Sequence, residues 1–299
     1  MAGVITTGSF AKALWPGVNA WYGEEYGKHP EFWRQMFSVE NSSKNYEEDV
    51  GVSTLGLFPT KDEAKAVTFD SEVQGFTTRY VHTTYGLGFI VSEEAYEDDL
   101  YNVVGKRRAK NLAFSAASTL NTLGAAIYNN ATSYIGGDGV AMLSSAHPNV
   151  AGGTWSNLSA ATFSEAALES ACIAIRKYTN DRGLRIAVQP KQLILPPDLE
   201  FDAERILASP LRVDTANNDL NAIKSMSSIP GGYMCNPFLT GTTSWYLSTN
   251  VPDGVKCFER RAPRFAPDND FDTGNAKFKS TFRVSFGWTD ARGIYGYDT

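Results

Sequence analysis

Residues 76–130 read FTTRYVHTTYGLGFIVSEEAYEDDLYNVVGKRRAKNLAFSAASTLNTLGAAIYNN, and two periods meet inside them. The opening stretch, 76–85, is dominated by Thr, Tyr, Val and Phe, the composition of a strand. From Tyr96 onward Leu100, Val104, Leu112, Ala116, Leu120, Leu123 and Ile127 recur at mostly three- and four-residue steps, the spacing of one helical face. Ser92 reads as the N-cap. Glu93, Glu94, Glu97, Asp98 and Asp99 fill the first two turns, where a helix N-terminus favours negative charge. Unbroken over 93–130, this helix is about 55 Å long at about 1.5 Å per residue. The globular mean is only about 11–12 residues. Gly105 and Gly124 are its expected bend points.

Upstream, residues 66–69 (AVTF) share the strand composition, and Gln74-Gly75 supplies a turn between them and 76–85. The expectation is a long antiparallel hairpin with strands of roughly 8–10 residues and about 30 Å of reach. Thr and Tyr occupy both faces of its second strand, so neither is a core face. A lone two-stranded hairpin is marginal in water and needs support from its own domain or from another subunit. Gly86-Leu87-Gly88 reads as a flexible base for it. Residues 1–48 show no sustained period, and Trp15-Pro16-Gly17 reads as a turn. Tyr22, Tyr26, Phe32, Trp33, Met36 and Phe37 require cover, with a short helix within 31–38.

Downstream, residues 131–160 read as loop with a small hairpin. Thr162 and Glu165 form a capping box for a second helix, striped by Leu168, Ala171, Cys172, Ile175 and Tyr178 and ending within 180–183. Residues 192–195 read as a core strand stopped by Pro196-Pro197, and 198–207 as a short helix. A polar loop (209–231) follows, then a strand at 245–247 and tail strands within 255–299 around a turn at 267–274. Helices and antiparallel strands are segregated without repeated βαβ alternation, so the class is α+β.

The chain has 299 residues, 42% hydrophobic and 20% charged, enough for a packed core. A net charge of −6 argues against a protein that grips nucleic acid through phosphates. Cys172, Cys235 and Cys257 are distant and odd in number, which argues against a disulfide framework and a zinc site. No run approaches membrane-spanning length. Folding in a cytosol is expected.

The chemical motifs fail on inspection. In 268–274 (DNDFDTG), Thr273 and Lys279 occupy the glycine and bidentate-acid positions of a calcium loop, so a polar turn is the reading. Residues 23–28 (GEEYGK) are one short of a phosphate loop, and His29 stands where Ser or Thr would bind magnesium. Gly86-Leu87-Gly88 lacks the third glycine of a dinucleotide fingerprint. His29, His82 and His147 have no metal-ligand spacing; Ser144, Ser145 and His147 are the only nucleophile–base candidates. Neither catalytic, cofactor-binding nor metal-binding residues are assigned, and no cofactor is expected. The basic residues Lys106, Arg107, Arg108, Arg260, Arg261 and Arg264 read either as solvated faces or as partners for acids of a neighbouring subunit.

The order of elements resembles the major capsid proteins of tailed bacteriophages, the Hong Kong 97-like fold. Specific strings resemble the branch typified by the Mu-like major head subunit: Tyr85-Gly86-Leu87-Gly88-Phe89 running into Ser92-Glu93-Glu94, then Glu97-Asp98-Asp99-Leu100-Tyr101, 143–148, the Leu195-Pro196-Pro197 stop, and 287–293 (GWTDARG). The resemblance implies an N-terminal arm (1–48), an extended loop (49–92), a peripheral domain (93–150 and 251–299) with a spine helix (93–130), and an axial domain (151–250). It further implies self-assembly as pentamers and hexamers into an icosahedral shell around double-stranded DNA, with portal, scaffold and decoration proteins as partners and no membrane. The location implied is the virion, after assembly in the host bacterial cytoplasm. Lys61, Lys65, Arg79 and Tyr80 join the six basic residues above as expected inter-subunit contacts. Some members weld subunits through a Lys–Asn bond; Lys61 and Lys65 precede the hairpin but read first as solvated loop lysines. Two other classes remain open: an encapsulin-like nanocompartment subunit of the same fold, and an enzyme or carbohydrate-binding domain of unrelated fold.

Overall fold

The computed structural model describes residues 11–92, 94, 105–212, 219–269 and 275–298, with the backbone alone at 11–18 and 269. Its elements in chain order are α1 (Ala11–Tyr26), α2 (Phe32–Met36), β1 (Ser38–Asn41), β2 (Tyr46–Val52), β3 (Gln74–Val81), β4 (Thr83–Val91) and α3 (Lys106–Asn129). There follow β5 (His147–Pro148), β6 (Thr154–Trp155), α4 (Glu165–Arg176), β7 (Pro190–Leu195), α5 (Glu200–Ala208) and α6 (Ala222–Ser225). The chain closes with β8 (Tyr233–Cys235), β9 (Trp245–Thr249), β10 (Val255–Asn269), β11 (Ala276–Trp288) and β12 (Ile294–Tyr297).

The first sheet has the order β1-β10-β11-β4, antiparallel except for the β1–β10 pair. Strand alternation sets its two faces. Phe278, Ser280, Phe282 and Val284 of β11 are buried, while Lys277, Lys279, Thr281 and Arg283 between them are not. The buried face carries α1, α2 and α3. Ala109, Leu112, Ala113, Ala116, Leu120 and Ile127 of α3 form the stripe that packs there. Over its described 24 residues α3 is about 36 Å long. The acidic first turns expected at 93–104 lie almost wholly outside the described residues.

The second sheet, β12-β9-β7-β8, buries Leu193, Leu195, Trp245 and Leu247 against Leu168, Ala171 and Ile175 of α4. The two sheets share one core, because Trp33, Leu120 and Tyr128 pack in the same cluster as Ile194, Met234 and Tyr246. Asn121, buried in α3, uses both ends of its amide: Oδ1 accepts from the Trp33 N–H at 3.3 Å and Nδ2 donates to the Pro30 carbonyl at 2.9 Å. That pair fixes the chain between α1 and α2 against α3.

Several local expectations are corrected. Residues 15–17 are not a turn; α1 runs through them. Docking of Tyr22 beside Leu112 and Ala113, and the Lys110–Glu25 ion pair at 3.0 Å, override the local preference of Pro16 and Gly17. The second helix is capped by Ser164, whose hydroxyl accepts from the Ala167 N–H, and not by Thr162. Residues 66–69 are not a strand and Gln74-Gly75 is not a turn: the partner of β3 is β2, in the register Tyr46↔Val81 to Val52↔Gln74, and 53–73 form the connecting loop. Gly86 and Gly88 lie inside β4, opposite Thr281 and Lys279. A Cβ on Gly88 would come within 2.6 Å of the Phe278 carbonyl, so that glycine permits close strand packing. Gly124 likewise makes room for Trp33, which an added Cβ would meet at 2.9 Å. β12, grouped by sequence with the tail strands, pairs with β9 of the second sheet.

Candidate inter-subunit surfaces

Residues 74–91 are one strand-forming run shared between two sheets. β3 pairs with β2, β4 pairs with β11, and His82 is the break between them. Its ring is buried, with Nε2 2.9 Å from the Ser42 hydroxyl and Nδ1 3.0 Å from the Ser285 hydroxyl. The Ser42 hydroxyl donates in turn to Glu47 at 2.8 Å, so it accepts from Nε2–H, and the Ser285 hydroxyl donates to Nδ1 of the neutral ring. Desolvation first, and then the Arg283 charge, hold its pKa below the usual histidine value; Glu47 opposes them and Arg260 adds to them.

Beyond His82, β2 and β3 form a two-stranded sheet of their own, the arm, separate from both four-stranded sheets. Its base is pinned at two places. Lys256 of β10, only 5% exposed, meets Asp49 of β2 at 2.9 Å, Asp253 at 2.5 Å and Glu40 at 3.4 Å. Burial alone would lower its pKa, but the hydrogen bonds and charges of Asp253 and Asp49 raise it above the ordinary lysine value. Farther out, Arg182, on the connection from α4 to β7, donates to the Asp70 carboxylate and the Ser71 carbonyl, and Asn180 donates to the Thr54 hydroxyl at 2.5 Å. The Asp70 carboxylate also accepts from the Gly56 and Ser71 amides, and together these partners hold its pKa below the usual carboxylate value.

Within the loop at the end of the arm, the apolar side chains of 57–69 are exposed. Phe58 is 98% exposed and Phe69 92%, with Leu57 and Val67 exposed beside them. Contiguous exposed apolar surface is uncommon on a monomeric protein.

The expected contact residues are distributed as follows. Lys61 and Lys65 lie exposed on the 53–73 loop, with Lys65 paired to Asp62 at 2.6 Å. Arg79 is exposed on β3, stacked 3.8 Å over the Tyr46 ring and 3.4 Å from Glu48. Tyr80 is a correction: it is buried in its own subunit, edge-on to Phe258, with its hydroxyl 2.7 Å from the Thr289 hydroxyl. Strand alternation turns Tyr80 inward while Arg79 points out. Lys106, Arg107 and Arg108 are exposed at the start of α3; Lys106 sits 5.5 Å over Trp21, and Arg108 donates to the Ile90 carbonyl at 2.6 Å. Arg260, Arg261 and Arg264 are exposed on β10, where Arg260 donates to the Ser42 carbonyl and Arg261 to the Thr281 hydroxyl. Arg182, His82 and Lys256 were not singled out from sequence as contact residues; their roles depend on long-range partners, which leave no local signal.

Ser144 and His147 do not form a nucleophile–base pair. His147 Nδ1 is 2.7 Å from Asp138, Nε2 is 3.1 Å from the Asn157 amide oxygen, and the Ser144 hydroxyl accepts from the Ala146 N–H. The ring is buried and stacked on Trp155, a structural network that ties β5 to β6. A cleft of about 700 Å³ lies between the arm's base and the segments 180–188 and 250–253, but the basic groups lining it, Lys256 and Arg292, are held by Asp49, Asp253, Asp181 and Asp290. Among the described residues no three His, Cys, Asp or Glu side chains converge to hold a metal, and no helix is long and apolar enough to cross a membrane.

The 46–81 arm is latched to its own subunit, yet its loop leaves Leu57, Phe58, Val67 and Phe69 exposed. The sequence profile of the phage capsid protein family matches residues 75–296, and the chain belongs to that family. Its fold is that of tailed-phage major capsid proteins. The capsid of an empty GTA particle matches with TM-score 0.57 and 14% identity over 89% of this chain and 89% of that chain. The procapsid of bacteriophage JBD30 matches with TM-score 0.53 and 14% identity over 99% of this chain and 76% of that chain. The virus-like particle from Pyrococcus furiosus matches with TM-score 0.54 and 10% identity over 95% of this chain and 98% of that chain. No curated protein matches by sequence.

Proposed function

We infer that this phage capsid protein is the repeating subunit of an icosahedral shell around double-stranded DNA, and that the 46–81 arm lies over an adjacent copy. The observation that carries this reading is the arm itself: a strand pair and loop whose Phe58 and Phe69 find no cover in their own chain. The first sheet with α3 acts as the peripheral domain, and the second sheet with α4 and α5 as the axial domain around five- and six-fold axes. Residues 1–48 act as the N-terminal arm, with scaffold supplied by a separate chain. Assembly takes place in the host cytoplasm, with portal and decoration proteins as further partners, and the strings shared with Mu-like head subunits support a place in that branch. A nanocompartment built on the same fold has less support, because the matching family is one of phage capsids. Expression of the chain and electron microscopy of the product test the reading: closed shells support it, and a monodisperse monomer with the arm docked on its own core contradicts it.

A further inference from the structure

Residues 179–183 form a tight turn on the connection from α4 to β7, and their polar groups are divided between two neighbours. The turn closes on itself first. The Gly183 N–H donates to the Asn180 carbonyl at 3.0 Å, and the Asn180 side-chain oxygen accepts from the Arg182 and Leu184 amides at 3.0 and 2.8 Å. Gly183 supplies the positive φ, +79°, that the turn requires. On one side Asp181 and the Thr179 carbonyl hold Arg292, at 3.1 and 2.8 Å. Arg292 is itself buried, bonded to Asn149 at 3.1 Å and stacked 4.6 Å over Trp155, so the turn is fixed to the body of the subunit. On the other side Asn180 and Arg182 meet the arm.

These two side chains grip both feet of the 57–69 loop. Asn180 donates to Thr54 on the outgoing foot, and Arg182 donates to the Asp70 carboxylate and the Ser71 carbonyl on the returning one. The feet are also tied to each other. Asp70 accepts from the Gly56 N–H at 2.9 Å, the Ser53 N–H donates to the Val73 carbonyl at 2.9 Å, and the Val73 N–H donates to the Ser53 hydroxyl at 2.8 Å. A Cβ added at Gly56 would lie 3.2 Å from the Asp70 carboxylate and 3.5 Å from Arg182 Nη1, which places all three at one node. Apolar packing does not hold the loop. Among the described residues the core clusters contain none from 53–73, and a hollow of about 370 Å³ lined by Ser53, Val73, Val150, Ala151 and Arg182 lies at its feet.

The grip stops where the apolar surface begins. Leu57, Phe58, Val67 and Phe69 stay exposed while Thr54, Asp70 and Ser71 are held. A contact that stowed the loop would cover those side chains; this one leaves them presented. We propose that Asn180 and Arg182 are positioning residues, a brace that aims the 57–69 loop for contact between copies. The inference rests on the shell-subunit reading and adds what directs the loop before assembly. A loop tied only at its own base samples many directions, and ordering it at the moment of contact costs conformational entropy. The brace removes part of that cost in the free subunit, because it fixes the feet against a turn that Arg292 already holds.

The test compares wild type with Arg182→Ala, Asp70→Asn and the double variant. Amide hydrogen exchange is read below the concentration at which shells form, and assembly is followed by light scattering above it. Arg182→Ala leaves every side chain of the arm in place. The expected result is exchange across 53–73 about two- to tenfold faster, the range for losing one partly exposed ion pair with its hydrogen bonds, with an unchanged circular dichroism spectrum. The assembly rate falls by a factor of about three or more, since the unbraced loop must be ordered on contact. The double variant assembles no more slowly than the slower single variant, because the two side chains act through one another. Arg182→Lys keeps the charge without the forked donor and falls between wild type and Arg182→Ala. Unchanged exchange in Arg182→Ala overturns the proposal, as do additive losses in the double variant. Faster exchange with assembly at the wild-type rate or above also overturns it, and makes the contact a restraint on the loop. If Arg182→Ala does not fold, Asp70→Asn alone carries both readouts, since it keeps the oxygen that accepts from Gly56 and loses the charge. A wild-type chain that forms no shells contradicts the shell reading itself, a separate failure, and the exchange comparison then decides the brace.

Discussion

His82 joins the arm to the sheet through a neutral ring held by two serine hydroxyls. With its folded-state pKa below the usual value, the unfolded chain takes up the proton first. Its contribution to stability is therefore complete above about pH 6.5 and is lost as pH falls through that value toward the lowered folded pKa. Urea midpoints should drop between about pH 7.5 and about pH 5.5 in the wild type, and less so in His82→Gln, which cannot titrate. Parallel curves for the two proteins would remove His82 from the account. Tyr80→Phe removes the hydroxyl bonded to Thr289 from a buried site and should cost about 0.5–1.5 kcal/mol in denaturant unfolding. A neutral result would mean that Thr289 is satisfied by Asp49, 2.8 Å away, without Tyr80.

At the scale of elements, α3 is where sequence and packing disagree most usefully. Helix propensity alone predicts that Gly124→Ala stabilises by about 1 kcal/mol. The added Cβ would fall 2.9 Å from the Trp33 Cβ and 3.4 Å from the Phe37 ring, so the expected outcome is a net destabilisation of about 1–3 kcal/mol, read from the shift of the urea midpoint. An increase in stability would show that α2 yields without cost. The periodicity of α3, the strand at 190–195 and the tail strands were legible because each is dictated by local spacing. The partner of β3 was not. Residues 66–69 have strand composition but no ladder, whereas the true partner, Tyr46–Val52, contains Glu47, Glu48, Asp49 and Gly51, residue types depleted in strands. α1 was hidden by Pro16 and Gly17, and its position comes from contacts with α3 rather than from its own pattern. The basic face of the first sheet was half legible: the basic residues of β10 stood out, but their convergence with Lys279 and Arg283 depends on a cross-strand register that composition does not encode. Tyr80 was misplaced because a face without an obvious core was taken to mean no core contact at all.

For the whole molecule, the subunit's own core and the arm should be separable. The two sheets, α3 and α4 share continuous apolar clusters to which the 57–69 segment contributes nothing. Replacing 57–69 by a short Gly-Ser linker should therefore shift the thermal midpoint by less than about 4 °C. The same replacement should abolish particle formation, because the surface removed, including Phe58 and Phe69, has no role inside the subunit. The most direct test of the central claim is cryo-electron microscopy of the wild-type and loop-replaced proteins side by side. The account predicts closed shells for the wild type, with density for 53–73 lying across a neighbouring copy, and folded but unassembled subunits for the replacement. Shells of equal yield and stability from both proteins would contradict it.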